Sequence, residues 1–166
     1  MKLNQSIAKK LTAYGLSGAL VLAGAGTVSY YEGKENKVYI DPVGILTSCY
    51  GHAGSELRRG QVFTDEQCLE QRVEDLSSHD KDMMKLVKVS LSDKEHAAYI
   101  SFTYNLGVGA FSKSTLLKKL NSGDRLGACS ELLRWTKAGG KTLVGLVKRR
   151  QSEYEICVEG VNETNH

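Results

Sequence analysis

The sequence predicts an α+β fold in which a small N-terminal lobe holds the β-structure and a long helix joins it to a helical C-terminal lobe. Three observations carry this prediction. Short β-prone pieces broken by Pro and Gly crowd the stretch from Val38 to Phe63. Two capping boxes and several amphipathic stretches follow it. A single proline, Pro42, leaves the rest of the 166 residues free of the strongest helix breaker. With 41% hydrophobic and 25% charged residues, the chain has the composition of an ordinary globular domain with one core and a short appendage. Disorder is expected nowhere before the tail Glu159 to His166.

The first element in order is an uncharged run of 21 residues, Leu11 to Tyr31, preceded by Lys9 and Lys10. As one helix it is long enough to cross a hydrocarbon core of about 30 Å. The lysines keep its N-terminal side cytoplasmic, so everything after Tyr31 is exported. Only Leu11, Leu16, Leu20, Val21, Leu22 and Val28 are strongly apolar. Gly15, Gly18, Gly24, Gly26 and four alanines add little transfer free energy, which makes insertion marginal and reversible. Two other readings stand beside it: a signal peptide cleaved near Ala23-Gly24-Ala25, and a permanent anchor, which small residues serve poorly. Residues 1–31 are therefore set apart as one unit and residues 32–166 as another.

Val38 to Ile40, Ile45 to Tyr50 and Gln61 to Phe63 are then the strands of a small irregular sheet, punctuated by Pro42, Gly44, Gly51, Gly54 and Gly60. Thr64-Asp65-Glu66-Gln67 is a capping box, and Leu69, Val73 and Leu76 continue it as the helix that bridges the lobes. A second box, Ser92-Asp93-Lys94-Glu95, opens a helix running to Gly107. Ser114 to Leu120, Asp124 to Trp135 and Leu143 to Cys157 supply the rest, the last two separated by Gly139-Gly140.

Charge is distributed unevenly. Tyr31 to Asp82 carries 6 basic and 11 acidic residues, and Met83 to His166 carries 13 and 8. Lobes of opposite sign around a cleft would give this pattern, and so would a chance partition of surface charge. Neither half has the basic stripe with interleaved aromatics that nucleic-acid binding requires, so no nucleic-acid partner is expected. Cys49, Cys68, Cys129 and Cys157 all follow the uncharged run, where an oxidising compartment permits disulfides. Their spacing fits no metal site. Cys129 with Cys157, on neighbouring helices, is the favoured pair, with Cys49 and Cys68 either paired or free.

Two acids, Glu32 and Asp41, flank the first strand, and Thr47 lies on the next. Hydrolysis of a glycosidic bond needs one carboxylic acid to protonate the leaving oxygen and one carboxylate to activate water or to act as the nucleophile. The spacing alone is a weak signal, but its surroundings are specific: Glu32-Gly33, Tyr39-Ile40-Asp41, Gly44, Thr47 and Tyr50-Gly51-His52. Thr64, Tyr104-Asn105-Leu106-Gly107 with Gly109 and Phe111, and Trp135 to Arg150 with Gly139-Gly140, Gly145-Leu146 and Arg149-Arg150 continue the pattern. In these the sequence resembles the phage lysozymes, glycoside hydrolase family 24, over nearly everything after Ser29.

The resemblance implies a lysozyme-like fold and a cofactor-free muramidase that cuts the β-1,4 bond between N-acetylmuramic acid and N-acetylglucosamine. It implies Glu32 as general acid, Asp41 as the group that orients and activates water, Thr47 as the hydroxyl that helps hold that water, and inversion of stereochemistry. It also makes His52 structural, bonded to an acid on the connecting helix for which Asp75 is the candidate. Cys49 departs from the pattern, standing where many members have glycine. The N-terminus resembles that of signal-anchor-release endolysins, which implies a monomer inactive while tethered to the inner membrane through residues 11–31 and active once released to the periplasm. Having no cysteine before Glu32, the chain would be controlled by refolding alone.

Other residues have plainer readings. Asn105 is a candidate to hold an acetamido group, or else a loop cap. Trp135 is expected in the core, and Arg149-Arg150 as one solvated and one structural arginine. Three competing functions make different demands on these residues. A wall amidase would use Cys49 and His52, a lytic transglycosylase needs essentially one acid, and a non-enzymatic wall-binding or pore-forming lysis partner would not need Glu32.

Overall fold

The computed structural model describes residues 3–165. The uncharged run is not one helix. Helix α1 (Gln5–Ala13) ends at a turn through Gly15, whose φ of +80° closes the helix in a conformation that suits glycine. Helix α2 (Gly18–Ala25), capped by Ser17, and the short α3 (Thr27–Tyr31) follow. Among the described residues no helix is long and apolar enough to cross a membrane. The segment lies on the rest of the molecule instead. Leu20, Ala23 and Val28 enter the main core, while Ala8, Leu11 and Ala25 form a second cluster with Leu69. A side-chain carbon added at Gly24 would lie 2.6 Å from Leu11 and 2.8 Å from Leu76, so the absence of a side chain lets α2 seat this closely.

Strands β1 (Glu35–Ile40), β2 (Leu46–Cys49) and β3 (His52–Ala53) form an antiparallel sheet in the order β1-β2-β3, with a register irregularity between Glu35 and Tyr39. The expected third strand, Gln61 to Phe63, makes only an isolated bridge from Val62 to Lys37; the short return strand after the 49–51 turn takes the edge instead. Helix α4 (Asp65–Met84) begins at the predicted capping box, with both reciprocal bonds formed between Thr64 and Gln67, and spans the two lobes.

The helical lobe comprises α5 (Asp93–Leu106), α6 (Val108–Ser112), α7 (Thr115–Asn121), α8 (Arg125–Glu131) with a 3-10 turn over Leu132–Arg134, and α9 (Val144–Thr164). Helix α5 starts at the second capping box and is its buried centre, placing Ala97, Ala98, Tyr99, Ile100 and Phe102 in the core. Gly139-Gly140 does more than separate two helices. With φ of +57° and +77° the pair makes the two-residue turn of a hairpin between β4 (Lys137–Ala138) and β5 (Lys141–Thr142). Trp135 packs edge-on against Phe102 at the margin of the core. The tail from Glu159 is helical through Thr164, because Val161 is buried and Gly160 lets α9 approach the start of α5. The last residue, His166, lies outside the described residues.

Both cysteine pairs are bridged. Cys129–Cys157 joins α8 to α9, and Cys49–Cys68 joins the end of β2 to the first turn of α4.

Candidate active site

Glu32 is the residue that ends α3: its N–H still donates to Val28, but its backbone is extended, which turns the chain toward β1. The neighbouring Tyr31 fixes the exit, its hydroxyl donating to the Lys148 carbonyl at 2.9 Å and lying 2.6 Å from Ser152 Oγ on α9. Glu32 Oε1 accepts from Arg149 Nη1 at 2.6 Å. Its other oxygen faces the 49–51 turn, where a side-chain carbon on Gly51 would come within 3.3 Å; glycine leaves that space open. Beside Glu32 is a cleft of about 340 Å³ lined by Tyr31, Asn105, Leu143, Gly145, Leu146 and Arg149. A hollow of about 380 Å³ along Glu35 to Tyr39 is larger, but it brings no buried guanidinium and amide to bear on an acid.

Asp41 and Thr47 are not among the residues that line that cleft; Asp41 follows β1 and Thr47 lies on β2. Asp41 immediately follows β1, and its Oδ1 accepts from the N–H groups of Val43 (2.9 Å) and Ile45 (2.8 Å), an Asx turn that shapes the β1–β2 loop. Among the described residues no protein donor bonds Oδ2. Thr47 is buried opposite Tyr39 in the sheet register and donates to the Ile45 carbonyl at 3.1 Å. Tyr39 feels both acids: burial raises its phenol above the usual tyrosine value, and the charges of Glu32, Asp41 and Glu35 push the same way. Asn105, near the end of α5, accepts through Oδ1 from Arg150 Nη2, which orients its amide at the cleft wall.

His52 lies at the base of the sheet. Its Nδ1 donates to both Asp75 oxygens (3.0 and 2.9 Å) and its Nε2 to Glu56 Oε1 at 2.6 Å. Only imidazolium can donate from both nitrogens. Burial pulls the His52 pKa down, but the bonds to Glu56 and Asp75 outweigh it and hold it above the ordinary histidine value. Asp75 is raised by its own burial, against the opposing effect of His52. Cys49 has no thiol to offer a neighbouring histidine, since it is bonded to Cys68. Nor do Cys49 and His52 share a strand; they flank the β2–β3 turn. The wall-amidase alternative therefore lacks its nucleophile.

The pattern that defines the phage lysozymes matches residues 29–153. The chain belongs to the phage lysozyme family. This lysozyme is 37% identical over 165 residues to the SAR-endolysin of Bacteriophage PS34, covering 96% of this chain and 99% of that one. Its structure is similar to the muramidase domain of SpmX from Asticaccaulis excentricus, with a TM-score of 0.75 and 28% identity over 82% of this chain and 95% of the other. It also shares its fold with the active form of the P1 phage endolysin Lyz (TM-score 0.83, 20% identity, 97% of this chain and 96% of that one). The secreted inactive form of Lyz matches less well, at 0.57 and 19% over 84% and 95%. It is a glycosidase of the lysozyme class, and peptidoglycan is its substrate.

Two features of the lysozyme's site escape a reading of the sequence. Neither Arg149 nor Arg150 is solvated; they are 3% and 0% exposed. Arg149 joins Glu32 to the fully buried Glu153, reaching Glu153 Oε1 through Nε at 3.3 Å, and Arg150 Nη1 lies 3.1 Å from Glu153 Oε2. Burial pushes the Glu153 carboxyl up, against the pull of the two arginines and a bond from Ser101. The i,i+4 spacing of Arg149 and Glu153 was the available signal, though such spacing on a surface helix usually marks a solvated pair. Nothing in the sequence marked Arg72, buried where α4 passes the sheet.

Proposed function

We propose that this lysozyme hydrolyses the β-1,4 bond between N-acetylmuramic acid and N-acetylglucosamine, with Glu32 as general acid, Asp41 orienting and activating water, and Thr47 helping to hold it. The observation that carries this reading is the setting of Glu32 in the cleft wall: a buried guanidinium fixes one carboxyl oxygen, while the other faces Gly51, which has no side chain to crowd it. Asp41 contributes one oxygen to its own loop and keeps the other for water. Attack by that water on the face opposite Glu32 inverts the anomeric centre, for which the carboxyls must stand roughly 6.5–9.5 Å apart. Asn105, its carbonyl engaged by Arg150, presents its NH₂ to the carbonyl of an acetamido group.

Residues 1–31 act, in this proposal, as a signal-anchor-release segment. The N-terminus is first cytoplasmic with residues 11–31 in the inner membrane, and the lysozyme is inactive; release to the periplasm gives the docked form and a monomeric, active enzyme that lyses the host. Support comes from the uncharged, glycine-rich run after Lys9 and Lys10 and from the SAR-endolysin relative that spans nearly the whole chain.

The catalytic reading is tested by Glu32→Gln, which is expected to abolish turnover of purified peptidoglycan while leaving the circular dichroism spectrum intact. Near-normal turnover by the folded variant overturns it. Mass spectrometry of the muropeptides released by the wild type is expected to find reducing muramic ends; anhydro-muramic ends would identify a lytic transglycosylase instead.

A further inference from the structure

Arg72 is 1% exposed, and among the described residues it is the buried cation with no carboxylate within ion-pair distance; Arg149 has two, Glu32 and Glu153, and Arg150 has Glu153. Burying a charge without a counter-ion is costly unless oriented dipoles replace the water it loses. The replacements come from the N-terminal segment. Arg72 Nη1 donates to the Gly24 carbonyl at 3.0 Å and to Ser29 Oγ at 2.6 Å, and Ser29 Oγ itself donates to the same carbonyl at 2.7 Å. That carbonyl lies in the last turn of α2, at the negative end of the helix. Nε and Nη2 have no hydrogen-bond partner, and the guanidinium stacks on the Tyr50 ring with Cζ 3.5 Å from the centroid.

Tyr50 connects this contact to the chemistry. It stands in the β2–β3 turn immediately before Gly51, its carbonyl accepts from Tyr104 on α5 at 3.0 Å, and the Gly51 backbone faces Glu32. The Gly24 and Ser29 acceptors, Arg72, Tyr50 and Gly51 therefore form one contiguous path to the acid.

We propose that Arg72 is a positioning residue that makes assembly of the Glu32 cleft conditional on docking of residues 18–31. With the segment docked, its carbonyl and hydroxyl satisfy the guanidinium, which then holds the Tyr50 ring and the turn against Glu32. With the segment elsewhere, Arg72 has no buried acceptor, turns to solvent, and leaves the turn without its platform. This deepens the release reading proposed above and rests on it for the existence of an undocked state.

The test uses the purified full-length chain in detergent-free buffer and compares wild type, Arg72→Met, Ser29→Ala and the double variant. Hydrogen exchange is followed in residues 18–31 and 46–53 against α5 and α9, together with kcat and KM on soluble peptidoglycan fragments. In Arg72→Met, exchange of the two segments is expected to rise about tenfold or more while α5 and α9 keep their protection. Its kcat is expected to fall about tenfold with KM within about twofold, because Arg72 acts on the acid and not on substrate contacts. Ser29→Ala should show the same pattern more weakly and add nothing to Arg72→Met. If Arg72→Met does not fold, Ser29→Ala decides alone. Wild-type exchange and kcat in the folded variants overturn the proposal, as does loss of protection spread evenly through α5 and α9. Fractionation of the wild type separates this from the release reading: a chain never found in the membrane defeats release but leaves the measured coupling standing.

Discussion

At the scale of single residues, the site depends on charges held away from water. His52 is the clearest case for a pH dependence. Its folded-state pKa is raised, so its contribution to stability is fully present below the unfolded value, about 6.5, and disappears as pH rises through the folded value. The raised Asp75 works with the same sign at lower pH, since the folded chain also holds that proton more tightly. His52→Gln is therefore expected to lower Tm more at about pH 5.5 than at about pH 9. An equal loss at both would mean that His52 acts by packing alone. The pairing with Asp75 was legible from the sequence through the resemblance; the second partner, Glu56, was not, because it depends on how the loop after β3 folds back.

Between elements, the Cys49–Cys68 bridge gives Cys49 a structural role beside the candidate site. Cys49 has φ of +55°, the only non-glycine residue with positive φ among those described. The backbone at this position is thus one that suits glycine, and a cysteine here accepts that conformation while tying β2 to α4 across 19 residues of sequence. The structure predicts opposite outcomes for two replacements once the bridge is gone. In a Cys68→Ala background, Cys49→Gly should be more stable than Cys49→Ala by about 1 kcal/mol, because only glycine relieves the left-handed backbone. Urea unfolding of the two double variants measures the difference, and equal midpoints would refute the strain.

On the scale of the whole molecule, the proposed release mechanism gives the glycines of residues 1–31 two jobs. They keep the transfer free energy of the run low, and in the docked form Gly15 and Gly24 permit the turn and the close seating of α2. Replacing them with leucine would confuse membrane retention with failed docking. Thr12 and Ala13 are exposed in the docked form and avoid the confusion. Thr12→Leu/Ala13→Leu should hold more of the chain in the membrane fraction and delay lysis, while the purified variant keeps its turnover. Release at the wild-type rate, or a mature chain beginning after Ala25, would reduce the segment to a signal peptide.

The sequence by itself determined the α+β class, the two capped helix starts and the hydrolytic chemistry, and it put forward Glu32, Asp41 and Thr47 as the candidates for that chemistry. These depend on local rules: a cap lies three residues from its partner, an apolar face repeats within a turn, and Glu32, Asp41 and Thr47 lie within one short stretch of chain. The tertiary structure alone decided what surrounds them. Arg149 comes from 117 residues away to bind Glu32, and Arg72 from 48 residues away to bind Gly24. Contacts of that range follow from which helix faces pack together, and no periodicity in the chain records them. The same holds for the uncharged run. Its length and lack of charge are properties of the sequence, but whether it forms one helix across a bilayer or three on a protein depends on what solvates its backbone and apolar side chains.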